Sequence, residues 1–109
     1  MKNLSAQGGK TLAIVSYITV IGWLIAFFLN RDKQNYFSKF HIRQALGVHL
    51  LLILNSYVPR IHILFFDIRS IITTIGIVLL VIGILYASKE EEKPLPFVGE
   101  YFQDWFKSI

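Results

Sequence analysis

The stretch TLAIVSYITVIGWLIAFFLN, from Thr11 to Asn30, is 20 consecutive residues without a charge. Its reading decides the fold. As one helix rising about 1.5 Å per residue it would cover about 30 Å, the thickness of a bilayer's hydrocarbon core. We therefore expect a transmembrane helix over 11–30. Lys2 and Lys10 would suit a signal peptide, but the apolar run exceeds the usual apolar core of about 7–15 residues. Phe27, Phe28 and Leu29 also make a poor small-residue cleavage site.

Working outward, SIITTIGIVLLVIGILYAS from Ser70 to Ser88 is a second uncharged stretch of bilayer length, closed by the charge run Lys89-Glu-Glu-Glu-Lys93. Between the two lies SKFHIRQALGVHLLLILNSYV, Ser38 to Val58, whose first turns carry Lys39, His41, Arg43 and Gln44. With those basic side chains reaching back to the headgroups it is long enough to span. Ser38 suits its N-cap, and Pro59 its end. Three spans are thus expected, over about 11–30, 38–58 and 70–88. The segment from Arg60 to Arg69 stays open between an interfacial helical turn, an extension of the third span and a fourth or re-entrant element.

The tail PLPFVGEYFQDWFKSI, Pro94 to Ile109, opens with two prolines that break a helix. Beyond them an amphipathic helix over about 97–109 would gather Phe102, Trp105, Phe106 and Ile109 on one side. Such an aromatic face lies in the headgroup region, docks on its own bundle or enters a partner's groove.

Composition agrees with a membrane protein. The 109 residues are 54% hydrophobic and 17% charged, with a mean hydropathy of +0.54. A soluble domain usually carries about a quarter charged residues. The length allows one domain. No cysteine is present, which excludes disulfide frameworks, thiolate metal sites and cysteine nucleophiles. The net charge of +4 reads as topology and contact with anionic headgroups, not as a nucleic-acid surface.

With three spans, Lys2, Lys10, Arg60 and Arg69 fall on one side. Arg31, Lys33, Lys39, Arg43, Lys89, Lys93 and Lys107 fall on the other. The richer side should be cytoplasmic. That places the 31–43 loop and the C-terminus inside, and the N-terminus outside.

No motif asks for an enzyme, a metal or a cofactor. Gly8-Gly9-Lys10-Thr11 ends like a phosphate-binding loop, but position 4 is leucine where the first glycine is required. His41, His49 and His62 are too scattered for a metal-ligand set. The informative constellation is Phe40, His41, Arg43 and Gln44. On a helix Phe40, Arg43, Gln44 and Gly47 share one face, where the glycine admits a close neighbour. Arg43 would meet lipid phosphate, or Arg43 and Gln44 would satisfy polar groups of another helix, or the pair would recognise a translocating substrate directly. Stripes of small residues (Ser16, Thr19, Gly22 and Ala26; Gly76, Gly83 and Ala87) suit tight helix packing in lipid.

Phe40-His41-Ile42-Arg43-Gln44 following a first span, and Pro94-x-Pro96-x-Val98-Gly99-x-x-Phe102-Gln103-x-Trp105-Phe106 closing the chain, resemble a known family. It comprises the small bacterial membrane proteins grouped with the chloroplast inner-envelope protein-import component. The resemblance covers roughly Lys10 to Ile109. It implies an all-helical fold in the bacterial inner membrane, with Phe40, His41, Arg43 and Gln44 as signature residues. Plastid members are held to be part of a preprotein-conducting translocon and are described with four spans, one more than is clear here.

The expected protein is an all-α integral membrane bundle without enzymatic activity. It would serve as an accessory or assembly subunit of a larger membrane complex, linked by resemblance to protein translocation. Its partners would be the bilayer, anionic headgroups, and other membrane subunits or copies of itself. The alternatives are a homo-oligomeric pore lined by Arg43, Gln44, His49 and Asn55, or a lipid-binding, membrane-shaping protein.

Overall fold

The computed structural model describes the backbone from residue 4 to residue 109 and the side chains from Gly8 onward. Among these residues the helices are α1 (Leu4–Ile18), α2 (Val20–Lys33), α3 (Tyr36–Asn55), α4 (Ile68–Ser88) and α5 (Gly99–Trp105). Between α3 and α4 stand two short strands, β1 (His62–Ile63) and β2 (Phe66–Asp67). The chain is an all-α bundle with one small β-hairpin. Only α4, among the described residues, is long and apolar enough to cross a membrane by length and composition. Three such helices were expected.

The first expected span is broken in its middle. Thr19 is extended (φ −148°, ψ 169°), and its Oγ1 accepts a hydrogen bond from the Gly22 amide at 2.9 Å. It therefore ends α1 and caps α2, satisfying one of the first-turn amides that a new helix leaves unpaired. The chain then doubles back. Leu12 and Ala26 share one apolar cluster with Ile42, whereas on one straight helix they would stand about 21 Å apart. Gly22 makes the reversal possible, because a Cβ there would lie 2.5 Å from the Val15 carbonyl oxygen. The tip of this helical hairpin is apolar and exposed at Ile18, Val20 and Ile21.

Gln34 closes α2 in a left-handed conformation (φ 53°), its amide donating to the Asn30 carbonyl. α3 then returns antiparallel to α2. Near the turn, the Asn35 amide donates to Asn30 Oδ1 (3.2 Å); further along, Trp23 Nε1 donates to the Ile42 carbonyl (2.8 Å). The cap of α3 is Asn35, which accepts from the Ser38 amide at 2.9 Å. The expected cap, Ser38, lies inside the helix and is buried. Its hydroxyl donates instead to the Gly9 carbonyl at 2.8 Å, pinning α1 beside the start of α3.

α3 and α4 form the long antiparallel pair. Leu52 packs on Gly76, and Asn55 Nδ2 donates to the Arg69 carbonyl and to Thr73 Oγ1, both at 3.0 Å. Of the three forms considered for 60–69, only the extension of the third span holds, and only for Ile68 and Arg69; the rest is a β-hairpin. His62 pairs with Asp67 and Ile63 with Phe66 across a tight turn that holds Leu64 at φ 59°. Asp67 then caps α4. Ile61, Ile63, Phe65 and Phe66 are β-branched or aromatic, types that strands favour.

Tyr17 and Ala13 of α1 pack on Gly83 and Ala87 of α4. The expected small-residue stripe Gly76, Gly83 and Ala87 is buried along its length. The start of α1, the α2–α3 turn and the end of α4 thus share one end of the bundle. The β-hairpin occupies the other.

Candidate functional site

The four residues singled out in the sequence converge on one task. After α4 the segment 89–98 runs as an irregular strap and leads into α5, and both lie against the first half of α3. Each polar member of the cluster grips this returning chain. His41 Nε2 meets the Glu91 carbonyl at 2.8 Å, Gln44 Nε2 donates to the Lys93 carbonyl at 3.0 Å, and Arg43 Nη2 donates to the Lys107 carbonyl at 2.6 Å. In the reverse direction Gln103 Nε2 donates to the Phe40 carbonyl at 2.7 Å. A strap without regular secondary structure has backbone carbonyls with no helix or sheet partner, and buried ones must be paired. Here α3 supplies the donors.

His41 is fully buried among the rings of Tyr17, Phe37 and Phe40, all at edge-on angles. The Tyr17 hydroxyl lies 2.6 Å from His41 Nδ1. A backbone carbonyl only accepts, so Nε2 carries the proton toward Glu91 and Nδ1 accepts from the tyrosine hydroxyl. The imidazole is neutral in this arrangement. It links α1, α3 and the strap through one ring.

Apolar packing completes the joint. Phe102 is 7% exposed and seats over Gly47, where any Cβ would overlap its ring. Leu95, 2% exposed, joins Phe102, Val48 and Leu79 in one cluster, with Val98 and Phe106 against it. Gly99 sits where a Cβ would approach Gln44 Oε1 and the Pro94 backbone. The aromatic face expected on 97–109 is therefore divided. α5 is the shorter Gly99–Trp105; Phe102 docks and Phe106 is half-buried, as is Ile109 beyond the helix, while Trp105 stays 65% exposed.

The remaining polar groups of the supposed polar wall are likewise engaged. His49 Nε2 contacts the Ser16 carbonyl at 2.9 Å, a carbonyl freed by the break at Thr19. Asn55 bonds to α4 as described. On the exposed strap Lys93 Nζ lies 2.8 Å from Glu91 Oε2. That hydrogen bond holds the Glu91 carboxyl below its usual value and raises Lys93.

Sequence reasoning missed Tyr17 and Gln103 as members of this joint, and Ser38 and Trp23 as ties from α1 and α2 to α3. Tyr17 and Trp23 read there as residues of an apolar span, and no local signal pairs them with α3. Comparison with protein-family models, with curated proteins and with solved structures found no match for the chain.

Proposed function

We propose that the chain is a non-enzymatic protein of the bacterial inner membrane that serves as an accessory or assembly subunit of a larger membrane complex. Protein translocation is the process to which the resemblance of residues 40–44 and 94–106 points. In this reading α4 and α3 cross the bilayer, the α1–α2 hairpin enters and returns, and the strap with α5 covers the cytoplasmic half of α3.

One observation supports the membrane arrangement in this reading: the reversal at Thr19 sorts the charges. Lys10, Arg31, Lys33, Lys39, Arg43, Lys89, Lys93 and Lys107 stand toward one end of the bundle, leaving Arg60 and Arg69 at the other. Lys2 lies outside the described residues. Eight cations against two among the described residues is a steeper bias than three spans would give, and cation-rich ends stay cytoplasmic. Between the ends, exposed Ile21, Leu24, Ile25 and Phe28 of α2 and Ile71, Ile75, Val78 and Val81 of α4 form an apolar belt. A hairpin that turns at membrane depth is tolerated where protein satisfies its freed backbone groups, the role of Thr19 and His49. The start of α1 then faces the cytoplasm, opposite to the three-span expectation.

The pore reading is weakened because Arg43, Gln44, His49 and Asn55 each bond to this chain's own backbone. The natural absence of cysteine gives a clean labelling test. In intact cells a membrane-impermeant maleimide should modify Phe65→Cys but not Lys10→Cys or Lys107→Cys until the membrane is opened. Labelling of Lys10→Cys from outside would overturn the re-entrant arrangement. In-membrane crosslinking at native expression, followed by mass spectrometry, should recover a stoichiometric heterologous partner. Recovery of self-crosslinked species alone would replace the accessory role with a homo-oligomer.

A further inference from the structure

At the basic end of the bundle a cavity of about 450 Å³ opens between the end of α2, the start of α3 and the final residues Ser108 and Ile109. Arg31 and Lys39 line it from the two helices, and Phe27 and Ile42 line it one helical turn further into the bundle. Among the described residues neither cation is ion-paired with a carboxylate. Arg31 instead stands 6.0 Å over the Phe28 ring. Asp32 is the acidic residue of the wall. The opposite wall is fixed by Arg43, whose bond to the Lys107 carbonyl precedes Ser108 directly.

We propose that this cavity binds the phosphate of an anionic phospholipid from the cytoplasmic leaflet. The inference rests on the membrane reading above. Arg31 and Lys39 would hold the phosphodiester, with the glycerol over Phe27 and the acyl chains along exposed Leu24 and Phe28. A guanidinium and an ammonium facing one cavity provide charge-assisted donors for phosphate oxygens. Phosphate chemistry alone would equally fit a free phosphate. What favours the lipid is the continuity of the cationic mouth with apolar surface one turn deeper, at the level where headgroup gives way to hydrocarbon.

The test uses the full chain in neutral detergent micelles, titrated with phosphatidylglycerol, phosphatidylcholine or inorganic phosphate and read by native mass spectrometry. Phosphatidylglycerol should bind as one retained adduct. Arg31→Gln/Lys39→Gln should weaken it about thirtyfold, from about 1 kcal/mol for each hydrogen bond to phosphate that is lost. Lys10→Gln/Lys89→Gln, with the same change in charge, should leave it unchanged. Helical ellipticity checks folding of both variants; were the first unfolded, Lys39→Gln alone should weaken binding about fivefold. Equal loss in both double variants would make the attraction diffuse and overturn the site. Equal retention of phosphatidylcholine would overturn it too. Displacement of the lipid by inorganic phosphate would assign the cavity to free phosphate. Each of these failures leaves the maleimide topology standing, so the site and the membrane arrangement fail separately.

Discussion

Substituting both members of the Tyr17–His41 pair should leave the protein more stable than substituting His41 alone. Tyr17 is 1% exposed and His41 fully buried, so water cannot replace a lost partner at either atom. Tyr17→Phe orphans His41 Nδ1. A buried donor or acceptor left unpaired costs about 1–3 kcal/mol. His41→Phe orphans both the Tyr17 hydroxyl and the Glu91 carbonyl, for about 2–6 kcal/mol by the same reckoning. The double variant replaces a polar pair by two rings of similar shape and leaves only the Glu91 carbonyl unpaired. It should therefore recover about 1–3 kcal/mol relative to His41→Phe. The assay is equilibrium unfolding in mixed micelles, with Trp105→Phe as background so that Trp23 reports alone. Trp23 bonds to the Ile42 carbonyl, next to His41. If the double variant loses as much as the two single losses added together, Tyr17 and His41 do not satisfy each other and the hydrogen bond between them is refuted.

Three further outcomes follow from the geometry. Thr19→Ala should lower stability by about 1 kcal/mol through the lost cap, and Gly22→Ala by more, because its Cβ meets the Val15 carbonyl; in a continuous helix Gly22→Ala would instead stabilise by about 1 kcal/mol, so a gain in the unfolding assay sinks the hairpin. Gly47→Leu should evict Phe102 and loosen the strap, raising the maleimide reactivity of a Leu95→Cys reporter at least tenfold; an unchanged rate would mean that α5 does not hold the strap. The Glu91 carboxyl is held low by Lys93, so any stability it adds is present above the usual carboxylate range and fades as pH falls through the lowered value. The melting midpoint of the wild type should thus exceed that of Glu91→Gln slightly at neutral pH, with the margin closing in acid; a margin that widens in acid contradicts the pairing.

Much of the architecture was legible. The apolar runs gave the helices, the third of them nearly residue for residue, and Pro94 and Pro96 marked the strap. The break at Thr19 was not legible, because an uncharged run of 20 residues serves equally as one helix or as two arms folded together. The Thr-x-x-Gly spacing that decides it is a cap signature only once the neighbouring carbonyls have partners elsewhere. His49 supplies one such partner from 33 positions away, a distance at which local reading has no purchase. The β-hairpin was missed for a related reason: two-residue strands leave no periodicity to count. At the candidate site the cluster Phe40, His41, Arg43 and Gln44 could be picked out as polar groups at helix depth. What they bind could not, since their acceptors are backbone carbonyls, which any residue type provides.

The two stretches that carry the resemblance stand some fifty residues apart, yet they are the two faces of one joint. Residues 40–44 donate to the carbonyls of 91, 93 and 107, and Gln103 returns a bond to Phe40. Gly47 receives Phe102, while Gly99 brings the strap close to Gln44. Each stretch completes the other: without the strap His41 Nε2 and Gln44 Nε2 lose their carbonyl acceptors, and without α3 the carbonyls of 91, 93 and 107 lose these donors. In the proposed accessory role the joint would be a structural support. His41 Nε2, Gln44 Nε2 and Arg43 Nη2 each have a carbonyl partner within it, whereas Arg43 Nε and Gln44 Oε1 are buried without one; the surfaces left open are the α2 and α4 belts and the hairpin tip Leu64, Phe65 and Phe66. A partner subunit would therefore meet apolar faces that the joint holds in register. Loosening the joint by Gly47→Leu should weaken partner crosslinking through α2 and α4 even though none of the joint's own residues lies on those faces.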